Sequence, residues 1–470
     1  MDGQRGIARR LVIGLPPEGL DARWEKDFAM FPPAGVIVFA RDFRDLEDLR
    51  RLTLHLRALA RPRRLFIALD EEGGWVSQLA GHLTVPPNAA LLTRGASPGD
   101  LAFVSEWTAR RLRALGFDWD FAPVADVHSE PMNPVIGPRA HGSTPGAVTA
   151  ALREVLTGFR RGRVASCLKH FPGHGDTERD SHLTLPVCRA DLATLMAREL
   201  APFRDLREAD SVMSAHVVYP ALDAERAGTF SPAVLTTLLR EQLHYEGICV
   251  TDALEMQGAA EGRTPAETSL AALAAGADLL LHAHWNEGVR RARLELADAL
   301  VDGHIDRARF EATRPRLAAF DRAHPEPDRD DLSLPIERLT PADWEKRLTG
   351  IIERGLLSEG RRPAPGPVRV EAPGFAHGES FADSLRTAGL EVSEGAASWQ
   401  IIAIASRVPL TAERIAELKR QCATTPTALV GLQNDAFLAL VPEAALRLSA
   451  ADCTPLTRRV VARRLAAAPA

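Results

Sequence analysis

The chain has 470 residues, a formal net charge of -5 and 46% hydrophobic residues. This length exceeds one ordinary hydrophobic core and predicts two domains, one of them of barrel size. The acidic balance and the lack of a Lys/Arg-rich run argue against a nucleic-acid partner, because phosphate binding needs a cationic surface.

The start of the chain carries one short apolar run, LVIGL (11–15), which is followed by two prolines and then charges. This run is too short for a signal peptide or a membrane-spanning helix, so we expect the first strand of a cytoplasmic protein without a membrane partner. The cysteines are odd in number and contain no CxxC pair, which indicates buried small side chains rather than disulfides or a zinc site. They are Cys167, Cys188, Cys249, Cys422 and Cys453.

Eight apolar runs alternate with amphipathic helical patterns, and their continuous hydrophobicity is typical of parallel strands covered on both faces. The runs are LVIGL (11–15), GVIVFA (35–40), LFIALD (65–70), FDWDFAPVADV (117–127), VASCLKHF (164–171), VMSAHVV (212–218), GICVTDAL (247–254) and ADLLLH (277–282). This alternation predicts the α/β class, with a (β/α)₈ TIM-type barrel over residues 1–325 as the catalytic domain.

A second, smaller domain follows the barrel pattern. Residues 326–345 are rich in Pro and Asp and are predicted to be a linker. Residues 346–470 alternate strand-like and helix-like segments, which predicts a small open α/β domain. It has no glycine-rich phosphate loop, so neither a nucleotide nor another cofactor is expected.

Polar side chains stand at the ends of most of the predicted barrel strands. In a barrel these ends converge on one rim, where such enzymes place their chemistry. Isolated salt bridges would explain any one of these residues, but the recurrence favours a shared polar pocket. The residues are Arg41, Asp42, Asp70, Asp126, Lys169, His170, His216, Asp252 and His282.

The segment KHFPGHGDTERDSH (169–182) has the densest cluster of ionisable residues. Its proline and glycines exclude a helix, so His170 and His174 cannot form an i,i+4 ligand pair on one helical face. Asp180 and His182 are two residues apart, a spacing that places both side chains on one face of extended backbone. A carboxylate that holds an imidazole is typical of acid/base catalysis.

Asp252, in VTDALEM, also follows a strand. A single Asp at such a position is commonly a helix N-cap. A carboxylate that faces a separate proton donor, however, is what glycosidic bond cleavage requires, and His182 can supply that proton.

The motif KHFPGHG, followed after four residues by DSH, resembles glycoside hydrolase family 3 and its bacterial β-N-acetylglucosaminidases of cell-wall recycling. Further similar segments are GVIVFARDF, LDEEGG, DFAPVADV, NPVIGPRAHG, MSAHVVYPALD, TFSPAVLTTLLRE and VTDALEM, so the resemblance spans residues 35–282. It implies a metal-independent, retaining β-N-acetylhexosaminidase that releases terminal N-acetylglucosamine from β-glycosides, with muropeptide fragments as expected substrates.

The resemblance also implies a role for individual residues. Asp252 would be the nucleophile that forms a covalent glycosyl intermediate, His182 the acid/base and Asp180 its partner. The carbohydrate substrate would be bound by Asp70, Arg139, Lys169 and His170.

The chain departs from the family pattern DQEGGRVxR, because it has Trp75 and Gln78 where the pattern has arginines. Gln78 can still donate a hydrogen bond to a sugar but supplies no charge. Trp75 is interpreted as a packing residue, with a sugar platform as the alternative. These changes leave the exact sugar and the natural aglycone open. The sequence also indicates neither the oligomeric state nor the role of the C-terminal domain.

Three other functions remain open at this point. The same barrel could serve another β-glycosidase, or a phosphorylase that uses phosphate instead of water. A metal-dependent amidohydrolase could use His170, His174 and His182, and His282 with His284 forms a weak HxH metal motif. A non-catalytic sugar-binding barrel would fit the lost arginines.

Overall fold

The computed structural model describes residues 2–177, 185–362 and 365–467, and it divides into two compact units. The first unit comprises Met1–Glu71, Ala102–Ser129 and Ser143–Leu339. The second comprises Glu72–Leu101, Glu130–Gly142 and Thr340–Ala470. The units change at residue 339, inside the predicted linker, but two segments of the predicted barrel domain group with the C-terminal residues. The predicted domain division is continuous along the chain, whereas the compact units are interleaved.

Eight parallel strands of the first unit lie within, or one residue beyond, the predicted apolar runs. They are β1 (Leu11–Ile13), β2 (Gly35–Ile37), β3 (Phe66–Leu69), β4 (Trp119–Asp120), β5 (Cys167–Phe171), β6 (Ser211–Ser214), β9 (Ile248–Thr251) and β10 (Leu280–His282). These strands pair in two ladders, one of order β10-β1-β2-β3-β4 and the other of order β5-β6-β9. Parallel bridges Trp119–Ala165, Val124–Lys169 and Val250–Leu279 join the two ladders. The strands thus form a ring, which agrees with the predicted barrel.

The barrel interior is filled by apolar side chains that point inward from alternate strand positions. Trp119 lies at its centre, and its indole nitrogen donates to Ser211 Oγ over 2.9 Å. Phe320 packs against Phe66 and Trp119 with ring centroids 4.8 and 5.1 Å apart. The interior is therefore a packed core, and the substrate of such a barrel is expected at its rim.

Helices connect and surround the strands of the first unit. They are α1 (Asp2–Ala8), α2 (Ala22–Met30), α3 (Leu46–Ala60), α5 (Asp100–Ala114), α6 (Pro145–Gly162), α7 (Leu192–Ala197), α8 (Ala201–Asp205), α9 (Gln257–Ala260), α10 (Pro265–Ala275), α11 (Glu287–Val301), α12 (Arg307–Ala323), α13 (Arg329–Leu332) and a π-type helix (Ala233–Gln242). A short hairpin, β7 (Val218–Tyr219) with β8 (Asp223–Ala227), follows β6. Asp21, Thr144 and Thr264 accept backbone N–H groups at the starts of α2, α6 and α10, which explains where these helices begin.

The second unit contains an α/β sheet of order β11-β15-β14-β13-β12. Its elements are α4 (Ala89–Gly95), α14 (Trp344–Gly355), β11 (Leu357–Gly360), β12 (Val368–Glu371), α15 (Phe381–Thr387), β13 (Trp399–Ile404), α16 (Ala412–Thr424), β14 (Thr427–Gly431), β15 (Leu446–Ser449) and α17 (Pro455–Ala466). β12 to β15 are parallel, and β11 joins β15 antiparallel. Separate apolar clusters cover the two faces of the sheet, which confirms the predicted α/β class.

None of the helices among the described residues is long and apolar enough to cross a bilayer. All five cysteines are described and have free thiols; four are buried and Cys453 is half-buried. Burial raises the pKa of Cys188 to about 11. The prediction that the cysteines are buried is thus confirmed for four of the five.

Candidate active site

The carboxyl ends of β5, β6 and β9 meet at one level of the barrel rim. Phe171 of β5 is in register with Ser214 of β6, which is in register with Thr251 of β9. Asp252 follows Thr251 directly, and His170 precedes Phe171. Since neighbouring strands are about 4.8 Å apart, the backbones that carry Asp252 and His170 are separated by about 10 Å. This spacing leaves room for one sugar ring.

Lys169 and Asp70 form an ion pair at the rim. Nζ of Lys169, the middle residue of β5, lies 2.7 Å from Oδ1 of Asp70, which directly follows β3. The Lys169 side chain is 2% exposed and that of Asp70 is 22% exposed. A buried ammonium group next to a partly exposed carboxylate presents a donor and an acceptor side by side, which suits adjacent hydroxyl groups of a sugar.

Asp120 lies beneath this ion pair at the end of β4 and is fully buried. Its Oδ1 accepts the backbone N–H of Glu71 over 3.0 Å, and among the described residues its Oδ2 has no hydrogen-bond partner. Burial raises the pKa of Asp120 well above its usual range, and the nearby Glu71 and Asp70 act in the same direction while Lys169 opposes them. The buried Asp120 thus contributes to the electrostatic environment of the Lys169–Asp70 ion pair.

Asp126 organises the end of β5 and the loop after it, residues 170–177, called here the histidine loop. Its carboxylate accepts the backbone N–H of His174 over 2.6 Å and the backbone N–H of His170 over 3.2 Å, and its Oδ2 lies 2.8 Å from His170 Nδ1. Burial alone would raise the pKa of Asp126, but the two histidines and the hydrogen bonds outweigh it and the pKa is lowered. An ionised Asp126 therefore holds the Nδ1–H tautomer of His170, and Nε2 is the ring nitrogen left for a ligand.

The loop after β9 carries Asp252, whose side chain is half-buried. Its Oδ1 accepts the backbone N–H of Ala253 over 2.7 Å. His216, which follows β6, supports this loop: Nε2 lies 3.0 Å from the carbonyl oxygen of Ala253 and Nδ1 lies 2.9 Å from Thr229 Oγ1. The ring of His216 stacks on Phe230. His216 thus orders the loop on which Asp252 stands.

Arg139 belongs to the second unit, where it forms a bidentate ion pair with Glu72. Nε and Nη2 of Arg139 lie 2.8 and 2.7 Å from the two carboxylate oxygens of Glu72. His141, two residues on, is buried against Thr93, and burial lowers its pKa to about 4. The guanidinium of Arg139 is therefore fixed in a plane by a carboxylate that the sequence analysis did not single out.

Trp75 and Gln78 also lie in the second unit, and both are half-buried. The guanidinium carbon of Arg407 lies 5.3 Å from the centre of the Trp75 ring, and the backbone N–H of Trp75 donates to Asn88 Oδ1 over 3.1 Å. Asn88 is in turn bonded to Ala451 and Asp452. These contacts agree with the interpretation of Trp75 as a packing residue.

Of the remaining predicted site residues, two are not described by the structure and two are histidines near the end of β10. Asp180 and His182 lie outside the described residues. His282 is fully buried with its Nε2 3.0 Å from Ser269 Oγ of α10, and burial lowers its pKa to about 4. His284 Nδ1 lies 3.1 Å from Glu255 Oε1, and Glu255 Oε2 lies 4.0 Å from His282 Nδ1. Both histidines thus face Glu255, but within the described ranges no cluster of three or more His, Cys, Asp or Glu side chains is placed to hold a metal ion.

Two structural partners were missed by the sequence analysis. Asp126 was recognised only as a polar strand end, and Glu72 was not considered. The signal for Asp126 was its position at the carboxyl end of a buried run. No comparable signal marked Glu72, because its partner Arg139 lies 67 residues away along the chain.

Comparison with known proteins establishes the family. Residues 26–319 match the family described as "Glycosyl hydrolase family 3 N terminal domain". The chain belongs to this family, which confirms the resemblance in the sequence and makes it a glycoside hydrolase.

Individual relatives are similar over much of their length. A β-hexosaminidase of Methylococcus capsulatus is 43% identical over 55% of this chain and 78% of its own. A β-hexosaminidase of Chromobacterium violaceum is 42% identical over 53% of this chain and 71% of its own. Among solved structures, a family 3 β-N-acetylglucosaminidase from Paenibacillus sp. str. FPU-7 matches with a TM-score of 0.86 and 27% identity, over 98% of this chain and 96% of that one.

Proposed function

We propose that the protein is a retaining β-N-acetylhexosaminidase that removes terminal N-acetylglucosamine from β-glycosides, with muropeptide fragments as natural substrates. The observation that carries this proposal is the position of Asp252 two strands away from His170 and Lys169, with β6 between them, at the same rim. Its relatives named β-hexosaminidases support the choice of sugar.

The first chemical step transfers the sugar to the enzyme. The Asp252 carboxylate attacks the anomeric carbon, and the bond to the leaving oxygen breaks as His182 donates a proton to that oxygen. Asp180 holds the His182 imidazole and stabilises its charged form. In the second step His182 removes a proton from water, which attacks the anomeric carbon and releases Asp252. Two displacements at one carbon retain the β configuration.

Substrate binding is assigned to the polar residues that the family resemblance implies. Asp70 accepts and Lys169 donates hydrogen bonds to sugar hydroxyls, while His170 offers Nε2 because Asp126 occupies Nδ1. Arg139, held flat by Glu72, and Gln78 are assigned to the sugar as the family resemblance implies. The proposed reaction uses neither a metal ion nor a cofactor.

A pair of chromogenic substrates and a chelator test the proposal. The purified protein should hydrolyse 4-nitrophenyl N-acetyl-β-glucosaminide much faster than 4-nitrophenyl β-glucoside, and EDTA should leave the rate unchanged. Loss of activity with EDTA that added Zn²⁺ restores would favour the metal-dependent amidohydrolase instead. Binding of N-acetylglucosamine without any turnover would favour the non-catalytic barrel, and phosphate-dependent release of a sugar phosphate would favour the phosphorylase.

The His216→Phe variant should lower kcat by about tenfold with little change in KM. Phenylalanine keeps the stacking on Phe230 but removes the hydrogen bonds to Ala253 and Thr229, so the Asp252 loop loses its support. Small displacements of a nucleophile are known to cost up to about 100-fold in rate. Steady-state kinetics on the nitrophenyl substrate measure the effect. An unchanged kcat, with an unchanged melting temperature, would remove His216 from this positioning role.

A further inference from the structure

We propose that a groove between the first turns of α2 and α11 binds the aglycone of the substrate, as a carbohydrate subsite separate from the one that holds the cleaved sugar. This inference rests on the proposed function. The groove has a volume of about 480 Å³ and is lined by residues that include Trp24, Trp285, Met30, Asp21, Glu287 and Arg290. Small-molecule sites commonly have volumes of about 300 to 1,000 Å³.

The groove lies on the same rim as Asp252. Its walls come from the loop after β1 and from the loop after β10, the strand that follows β9 in the ring. The two loops are locked together, because the Gly14 N–H donates to the His282 carbonyl over 2.7 Å. A Cβ atom at Gly14 would lie 1.9 Å from the carbonyl oxygen of Ala283, so only glycine allows this approach. The groove is therefore preformed.

Direct contacts connect the groove to the Asp252 loop. Glu255, three residues after Asp252, accepts a hydrogen bond from His284 Nδ1 over 3.1 Å. His284 stacks against Phe39, two residues after β2, with ring centroids 6.3 Å apart. Trp285 is the next residue and lines the groove. A substrate that extends from Asp252 across His284 would reach Trp285 without leaving the rim.

The chemistry of the groove suits a neutral sugar better than an ion. Its lining residues include four acidic and three basic side chains, so the groove has no strong electrostatic potential of either sign. The two helix starts that flank it are already capped, by Asp21 at α2 and Asn286 at α11, which lowers their attraction for an anion. Glu287 and Arg290 form an ion pair with each other, over 2.8 Å.

Tryptophan supplies the remaining element of sugar recognition. Trp285 is half-buried and Met30 is 44% exposed, which gives the groove an apolar surface for the C–H face of a pyranose ring. Trp24 is 6% exposed, and within the described part of the chain its indole N–H has no hydrogen-bond partner. Polar side chains beside an aromatic face match a sugar ring, which has polar edges and apolar faces. The aglycone of a muropeptide contains such a second sugar.

The test compares two substrates that differ only in the aglycone. The Trp285→Ala variant should lose about tenfold in kcat/KM on triacetylchitotriose, since a stacking contact is worth about tenfold in affinity. Its kcat/KM on 4-nitrophenyl N-acetyl-β-glucosaminide should stay within about twofold of the wild type. Trp285→Phe should recover most of the loss. Equal losses on both substrates, or no loss on either, would overturn the subsite.

Trp107→Ala serves as the matched control. Trp107 is also half-buried but lies on α5, away from the loops of the rim, so its removal should affect both substrates equally or not at all. In addition, diacetylchitobiose should inhibit nitrophenyl hydrolysis by the wild type more strongly than by Trp285→Ala. If the wild type hydrolyses neither substrate, the proposed function fails first; if it hydrolyses both and Trp285→Ala is not selective, only the subsite fails.

Discussion

Replacement of Asp252 by asparagine should lower kcat on 4-nitrophenyl N-acetyl-β-glucosaminide by about 10⁴-fold or more. The amide keeps the size of the side chain and can still accept the Ala253 N–H, so the fold of the loop is preserved. It cannot form the covalent glycosyl intermediate, however, and without this intermediate both displacement steps are lost. Stopped assays over hours with highly purified protein are needed, because traces of wild-type enzyme would otherwise dominate the rate.

Two controls make the Asp252 result specific. Asp306→Asn changes a carboxylate that caps α12, a role that asparagine fills equally well, and it should leave kcat unchanged. Asp252→Gly with added azide should regain part of the turnover and release the α-configured glycosyl azide, since azide attacks from the side that the carboxylate occupied. Full activity of Asp252→Asn would contradict its assignment as nucleophile.

Replacement of His182 by alanine should have an effect that depends on the leaving group. Triacetylchitotriose has an unactivated aglycone whose oxygen must be protonated, so its hydrolysis should slow by about 10² to 10⁴-fold, the usual contribution of a general acid. The nitrophenolate ion leaves without a proton, so formation of the intermediate from the nitrophenyl substrate should slow much less. The ratio of the two kcat/KM values, variant against wild type, measures this difference.

The matched control for His182 is His304→Ala, since His304 is exposed and lies in the loop between α11 and α12. This variant should hydrolyse both substrates at the wild-type rate. Asp180→Asn should behave like a milder form of His182→Ala, because the imidazole remains but loses the carboxylate that stabilises its charged form. Equal losses on both substrates in His182→Ala would contradict its role as general acid.

The barrel strands could be predicted from the sequence because each is a nearly continuous apolar run, and helices α3, α5 and α6 because their apolar residues recur at helical spacing. Helix α1 was not predicted, since its sequence, DGQRGIA, contains two glycines that weaken any helical signal. Strand β11 was missed for a similar reason: all four of its residues are exposed, so it has no apolar pattern.

The interleaving of the two units could not be predicted, because it depends on contacts between residues that are far apart along the chain. Asn88, for example, donates its backbone N–H to Asp452, and Arg94 donates to the carbonyl oxygen of Gly355. Both residues lie in the predicted barrel domain. Hydrophobic periodicity shows which segments form helices or strands, but it contains no information about which distant segment they contact.

For the site, the sequence revealed the residues that converge on the rim but not their partners. The ion pair of Lys169 with Asp70 follows from strand ends that the apolar runs had already located. Asp126 and Glu72 contact His174 and Arg139 because of the way the loops fold. The glycines and prolines of the histidine loop show that it is not helical, but they do not determine its path. The contacts of the buried His282 ring with Ser269 and Glu255 likewise depend on residues of other segments, and the strand end did not indicate them.

The most direct test of a glycosyl-Asp252 intermediate is to trap it. A slow β-glycosyl fluoride, whose electronegative ring substituent retards hydrolysis of the intermediate, is incubated with the wild type, and the protein is digested and analysed by mass spectrometry. The added sugar mass should lie on Asp252, in the peptide that contains VTDALEM. A sugar on another carboxylate, or turnover of the fluoride with no covalent sugar at any time point, would contradict the account.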